Sequence, residues 1–168
     1  MRVEKIWSVI AYCRNEQPSE TKMTDTPVKA PWHVWVVGVF GLLFNSIGVF
    51  DFVMNMARGA EYLAGAGMTP AQIAHYQELP TWMMVVWAVG VFGAFLASIL
   101  LLLRKKLAFP IFAVSLTAFL ISLVYTYVLT SGGAIMGQQM AIVSTVIACL
   151  LVFFSWYTWL MTKRGLFR

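Results

Sequence analysis

Residues 32–56 read WHVWVVGVFGLLFNSIGVFDFVMNM and are apolar at nearly every position. A helix needs about 20 such residues to cross the hydrocarbon core of a bilayer. Three further segments meet this requirement, at residues 81–103, 107–129 and 140–161. The sequence therefore predicts an all-α polytopic membrane protein, a four-transmembrane-helix bundle in which residues 31–168 form a single domain.

The composition of the whole chain agrees with this prediction. Of its 168 residues, 60% are hydrophobic and 11% are charged, whereas soluble domains have about 45–50% apolar and about 25% charged residues. The net charge of +5 could indicate a nucleic-acid partner. However, the basic residues flank apolar segments instead of forming a patch, so we expect the lipid bilayer and no nucleic acid as the surroundings.

The basic residues also predict an orientation, because loops rich in Lys and Arg stay in the cytoplasm. Such residues lie between the second and third spans and after the fourth, whereas the segments at 57–80 and 130–139 hold one Arg and no Lys between them. We therefore expect a multi-pass protein of the bacterial inner membrane with both termini cytoplasmic. The residues that set this topology are Arg104, Lys105, Lys106, Lys163 and Arg164.

The first 30 residues are predicted to be a cytoplasmic N-terminal segment. Its apolar piece IWSVIAYC is too short to span a membrane and lacks the cleavage site of a signal peptide. Met23 opens MTDTPVKAPWHVW directly before the first span. Translation from Met1 and translation from Met23 both stay open.

The outer loop contains the signature of a short helix. The Gly-rich stretch AGAG predicts a flexible break, and Thr69 with Gln72 three residues later forms a capping box in which Pro70 occupies the first helical position. This helix is either a connector on the membrane surface or a lid over an outward-facing cavity. In the second interpretation, His75 and Glu78 are its polar edge.

A polar cluster near the outer end of the first span is the main candidate site. It consists of Asn45, Ser46, Asp51, Asn55 and Arg58. Asp51, Asn55 and Arg58 recur at helical spacing, so we expect Asp51 to hydrogen-bond Asn55 or to pair with Arg58, since an unpaired charge in a membrane is costly. Asp51 is then an interfacial acid, a proton- or cation-binding carboxylate at the mouth of a polar cavity, or a contact for a partner subunit.

Each span also carries a stripe of small or weakly polar residues, which membrane helices use to approach each other closely. We expect these stripes to face the interior of the bundle or an oligomer interface, and the sequence leaves both open. The positions are Gly41, Gly48, Gly90, Gly93, Ala94, Ala97, Ser98, Ser115, Ser122, Ser144 and Ala148.

An enzyme is not expected. Cys13 and Cys149 do not form a CxxC pair, and the histidines His33 and His75 lie outside the middle of any span. The sequence has no metal-ligand cluster, no phosphate-binding loop and no nucleophile beside a matched base, so we predict neither a metal nor a cofactor.

From about Met23 onwards, the chain resembles a group of small four-span inner-membrane proteins of proteobacteria. The resemblance is carried by PWHVWVVGVFGLLFNSIGVFDFVM, by LPTWMMVVWAVGVFGAFLASILLLLR and by the KRG near the C-terminus. Members are mostly uncharacterised, and some carry the label of sugar transporter, which implies a possible function but no residue roles.

Two functional classes therefore stay open. The first is a small-solute, sugar-type transporter that works as a homo-oligomer, with Asn45, Asp51, Asn55 and Trp87 near its path. The second is a structural or accessory subunit of a larger membrane complex. The sequence shows no helix interrupted in mid-span, which transporters use to build substrate sites, and Asp51 lies close to the outer boundary.

Overall fold

The computed structural model describes residues 31–130 and 132–167, and this part of the chain is helical with short connections. The N-terminal segment predicted for residues 1–30, including both candidate start positions, lies outside the described residues. Within the described residues, four helices are long and apolar enough to cross a membrane. This confirms the predicted all-α class and the number of spans. The α-helices of the described residues are α1 (Trp32–Arg58), α2 (Ala60–Gly65), α3 (Pro70–Gln77), α4 (Thr81–Leu102), α5 (Ala108–Val124) and α6 (Gly132–Lys163).

Two short helices, α2 and α3, form the connection between α1 and α4. Gly59 has a φ of 51° and breaks the chain between α1 and α2. The stretch AGAG, predicted to be a break, contains the last two residues of α2 and the turn that follows them. Gly67 has a φ of 84°, Met68 N–H donates to Leu63 O, and Gly67 N–H donates to Ala64 O. These are the two bonds of a Schellman cap, which a glycine with positive φ allows.

The capping box of α3 is confirmed. Thr69 Oγ1 accepts a hydrogen bond from the backbone N–H of Gln72 at 3.4 Å, and the backbone N–H of Thr69 donates to Gln72 Oε1 at 2.9 Å. Pro70 occupies the first helical position, and the helix ends at Gln77. Local side-chain chemistry was sufficient to predict this element because every partner lies within four residues.

A tight turn joins α4 to α5. Lys105 N–H donates to Leu100 O and Arg104 N–H donates to Leu101 O, which is again the Schellman pattern. The left-handed position belongs here to Arg104, with a φ of 54°, although glycine is the residue that this conformation favours. The identity of the side chain at position 104 is therefore not explained by the turn alone.

The fourth span differs most from the prediction. Residues 130–139 were expected to be a loop before a helix at 140–161, but α6 already begins at Gly132 and has a non-helical Gly137 (φ 72°, ψ 178°) inside it. The third span continues beyond α5 as a π-helical turn at Tyr125–Leu129. The predicted start of the fourth span, at about residue 140, therefore lies eight residues after the start of α6. Both irregularities lie at the ends of their spans.

The helices pack so that α4 lies against both α1 and α5, and α5 lies against α6. Phe112 of α5 and Phe154 of α6 are fully buried and stack with ring centroids 5.6 Å apart. A Cβ on Gly41 of α1 would lie 3.1 Å from the ring of Phe154, so glycine permits this close approach. At the level of Gly41, the interior of the bundle is thus filled by aromatic rings, for which the small residue makes room.

The small-residue stripes occupy two kinds of position. The buried members are Gly41, Ala94, Ala97, Ser98 and Ser115. The half-buried members are Gly48, Gly90, Gly93, Ser122, Ser144 and Ala148. Gly90 and Gly93 nevertheless face α5, because Cβ atoms added there would approach Ala118 and Ser115 respectively.

One end of the bundle is basic, and we call it the basic end. It comprises the Arg104–Lys106 turn, the end of α6 at Lys163 and Arg164, and the start of α1 at Trp32. Two contacts show that the three parts meet. The Arg104 guanidinium lies 5.6 Å from the centre of the Trp35 ring, and His33 Nδ1 lies 2.6 Å from Tyr157 Oη. The opposite end carries α2 and α3 with Asp51, Glu61 and Glu78, and we call it the acidic end.

The chain folds back at the basic end after α6. Gly165, with a φ of 69°, permits a third Schellman cap, in which Leu166 N–H donates to Met161 O and Gly165 N–H donates to Thr162 O. This turn places Phe167 in the core, with 2% of its surface exposed. The described chain therefore ends inside the packed bundle.

Candidate functional site at the acidic end

Asn45 and Ser46, the deepest members of the predicted polar cluster, are bonded within the bundle. Asn45 is buried, and its Nδ2 donates to Gly41 O at 2.8 Å and to Ser98 Oγ at 3.0 Å. Ser98 Oγ in turn donates to Ala94 O at 2.9 Å, and Ser46 Oγ donates to Leu42 O at 2.7 Å. The amide of Asn45 thus links α1 to α4.

Asp51 has a partner that the sequence reasoning missed. The carboxylate is exposed, and Tyr62 Oη of α2 donates to Asp51 Oδ1 at 2.9 Å. This hydrogen bond takes the place of the contacts expected from Asn55 and Arg58. The pKa of Tyr62 is raised above its ordinary value. The hydrogen bond to Asp51 is the largest cause, and slight desolvation and the negative charge of Asp51 contribute less. The break at Gly59 is what turns α2 back towards Asp51.

Asn55 and Arg58 do not share the surroundings of Asp51. Asn55 is buried, and its backbone carbonyl oxygen accepts a hydrogen bond from the N–H of Gly59 at 2.8 Å at the end of α1. Arg58 is exposed in the last turn, where a cation interacts favourably with the helix dipole. The five residues of the predicted cluster therefore lie in different environments.

An aromatic cluster lies beside Asp51, where α1, α3 and α4 meet. Phe52 and Trp87 contact edge-to-face with ring centroids 4.9 Å apart, and Tyr76 of α3 lies 6.2 Å from Trp87. Burial, and to a smaller extent the charges of Asp51 and Tyr127, raise the pKa of Tyr76. Tyr76 is therefore neutral around pH 7, and the cluster anchors α3 to the bundle.

Helix α3 also contacts the irregular start of α6. Gln72 Nε2 donates to Met136 O at 3.0 Å and to Ile135 O at 3.3 Å. These carbonyls lie directly before Gly137, whose backbone is not helical. Gln72 therefore serves both the cap of α3 and the end of the first turn of α6.

His75 and Glu78 behave differently from each other. Glu78 is exposed. His75 Nε2 is buried without a hydrogen-bond partner, and it faces Gly132, where an added Cβ would lie 2.9 Å from this nitrogen. His75 is thus part of the contact between α3 and the start of α6, and the glycine-rich stretch GGAIMG was the sequence signal for this close approach.

The polar side chains at the acidic end mainly form hydrogen bonds between one helix and another. Among residues 31–130 and 132–167, no group of three or more His, Cys, Asp or Glu side chains is placed to hold a metal ion. Cys149 is a free, exposed thiol in α6. Comparison of the chain with protein-family models, with curated proteins and with solved structures gives no match.

Proposed function

We propose that this chain is a structural or accessory subunit of a larger complex in the bacterial inner membrane. Four apolar helices make it a multi-pass membrane protein. The proposed orientation places the basic end, with Arg104, Lys105 and Lys106, in the cytoplasm, because cytoplasmic loops are enriched in Lys and Arg. Both termini then lie on the cytoplasmic side.

One observation carries this proposal: Asn45, the residue placed deepest in the predicted path, is used to join two helices. Its amide binds Ser98 Oγ and Gly41 O, and the next layer towards the basic end is filled by Phe112 and Phe154. A polar path would need these groups free to meet a solute. An interior filled at this level favours a protein that acts through its outer surface.

The surface of α6 is the place where we expect the partner. Between Gly137 and Leu150 this helix has no buried residue, whereas its last turns are anchored by Leu151, Phe154 and Met161. Ser144 and Ala148 lie half-buried in the open stretch, one helical turn apart. Small residues at this spacing allow another transmembrane helix to approach closely.

Native mass spectrometry of the tagged protein, extracted gently from its own membranes, tests the proposal. We expect a reproducible stoichiometric complex with another membrane protein, which Ala148→Leu disrupts by filling the contact. Ala113→Leu is the matched control, because it makes the same change at a half-buried position of α5. A clean homo-oligomer without other subunits contradicts the accessory role.

A second candidate function is a small-solute transporter that works as a homo-oligomer. The buried, unpartnered Nε2 of His75 favours it, since an unsatisfied polar atom beneath α3 is a group that a solute or a proton could use. The corresponding test is solute flux into liposomes that contain the purified protein. Flux abolished by His75→Ala, with insertion unchanged, would favour this function over the accessory role.

A further inference from the structure

A shallow apolar groove runs along α1 at the basic end. It has a volume of about 430 Å³ and is lined by Trp35, Val36, Val39, Phe40 and Leu43. At about 1.5 Å per residue, the stretch from Trp35 to Leu43 extends about 12 Å along the helix axis. The groove therefore has the shape and the polarity to hold part of one acyl chain.

The mouth of the groove is positively charged. The guanidinium carbon of Arg104 lies 5.6 Å from the centre of the Trp35 ring, so the cation sits beside the first lining residue. Lys105 and Lys106 follow directly in the exposed turn. The carboxylates of residues 31–130 and 132–167, namely Asp51, Glu61 and Glu78, belong to the acidic end.

The separation of charges along α1 favours an anionic ligand at this end of the groove. Asp51 lies 16 residues beyond Trp35, about 24 Å along the helix. A ligand at the mouth of the groove thus meets basic side chains without nearby acids on this helix. Basic side chains beside a membrane bind anionic lipid head groups, and guanidinium binds phosphate through two parallel hydrogen bonds.

The backbone at Arg104 supplies an independent observation. The residue adopts a φ of 54°, a left-handed conformation that is unfavourable for a side chain with a Cβ and natural for glycine. The turn needs only backbone groups, since its two hydrogen bonds come from the N–H groups of Arg104 and Lys105. An arginine at a position that suits glycine indicates a role for the guanidinium itself.

We propose that the basic end holds one anionic phospholipid, with its phosphate bound by Arg104 and one acyl chain in the groove that begins at Trp35. Lys105 and Lys106 add attraction for the negative head group. The acyl chain follows α1 past Val39 towards Leu43. The site does not depend on whether the protein is an accessory subunit or a transporter.

Native mass spectrometry of delipidated full-length protein tests this site with two probes. Phosphatidylglycerol and phosphatidylcholine with identical oleoyl chains are titrated separately, and the lipid retained after mild activation is counted. We expect the wild-type protein to retain one phosphatidylglycerol in preference to phosphatidylcholine. Equal retention of the two lipids would overturn the proposal, because only loosely associated lipid would then be present.

Three variants separate the head-group contact from the acyl contact. Arg104→Gly suits the turn and removes the guanidinium, so we expect phosphatidylglycerol binding to weaken by about fivefold or more. Arg58→Gln removes one positive charge at the acidic end and should leave binding unchanged. Val39→Trp fills the groove without changing the charge and should also weaken binding.

Each variant can contradict the proposal. Phosphatidylglycerol retention by Arg104→Gly equal to that of Arg58→Gln would show that the guanidinium does not bind the phosphate. Unchanged retention by Val39→Trp would show that no acyl chain occupies the groove. Circular dichroism of each variant verifies its helical content. If Arg104→Gly fails to insert, the Val39→Trp variant still tests the site.

Discussion

The hydrogen bond between Asn45 and Ser98 can be measured by replacing each residue with alanine, singly and together. Asn45→Ala also removes the bond to Gly41 O, and Ser98→Ala also removes the bond to Ala94 O. A double-mutant cycle cancels these single-residue effects and leaves the interaction between the two side chains. The two groups lie 3.0 Å apart and both residues are buried.

The expected coupling energy follows from this geometry. Hydrogen bonds between membrane helices contribute about 0.6 kcal/mol on average and about 1.7 kcal/mol at most. Ser98 Oγ keeps its own acceptor, Ala94 O, when Asn45 is removed, so no donor is left unsatisfied and the coupling should lie in the lower part of this range. About 0.6 kcal/mol corresponds to a change of about threefold in the unfolding equilibrium constant.

The assay is equilibrium unfolding in mixed micelles with increasing SDS, followed by far-UV circular dichroism. All four proteins of the cycle are measured under the same lipid and detergent conditions. Additive effects of the two substitutions, with no coupling energy, would refute the conclusion that Asn45 joins α1 to α4. The main evidence for a packed interior would then be lost. The accessory role, which is proposed on the same evidence, would lose its support too.

Three further predictions concern the ends of the bundle. Gly132→Ala places a Cβ 2.7 Å from the carbonyl oxygen of Thr126 and should destabilise the protein by about 1–3 kcal/mol in the same assay. Phe167→Ala removes a buried ring and should cost about 3–5 kcal/mol. Asp51→Asn should leave insertion intact and reduce thermal stability slightly at neutral pH, because the carboxylate that Tyr62 contacts is exposed. The raised pKa of Tyr62 means that its bond to Asp51 stabilises the protein fully below pH 10.0, its ordinary pKa, and that this contribution is lost as the pH rises through the raised value.

Controls decide each of these results. Gly65→Ala adds a Cβ to open space at a helix end and should be almost neutral, so an equal effect of Gly132→Ala would disprove close packing at Gly132. Stability unchanged in Phe167→Ala would mean that the chain does not fold back into the core. A constant difference in thermal stability between the wild-type protein and Asp51→Asn, from neutral pH to well above the ordinary pKa of tyrosine, would contradict the Tyr62 contact.

Local chemistry explains why part of the fold was predictable. The spans were evident because each exceeds the length that a bilayer requires, and α3 was evident because Thr69, Pro70 and Gln72 act within one turn. The start of α6 was not evident, since Gly137 interrupts the helix and the carbonyls of Ile135 and Met136 accept hydrogen bonds from Gln72, which lies 63 and 64 positions earlier. A pattern within one segment contains no information about such a partner.

The candidate site shows the same limit. Asn45 was assigned to the polar cluster and Ser98 to a stripe that favours packing. Their contact joins residues 53 positions apart, and the sequence could not pair them. Tyr62 was missed as the partner of Asp51 because the break at Gly59 reverses the chain between them. Spacing along an ideal helix instead suggested Asn55 and Arg58, which face different surroundings.

The most direct test of the filled interior is the reactivity of a cysteine at position 45 towards a membrane-impermeant thiol reagent. In a background with Cys13 and Cys149 replaced by serine, Asn45→Cys should stay unlabelled from either side of intact vesicles. Glu78→Cys should react from outside and Lys105→Cys only from inside, which tests the proposed orientation in the same experiment. Labelling of Asn45→Cys from either side would show that water reaches the centre of the bundle, and a filled interior would then be contradicted.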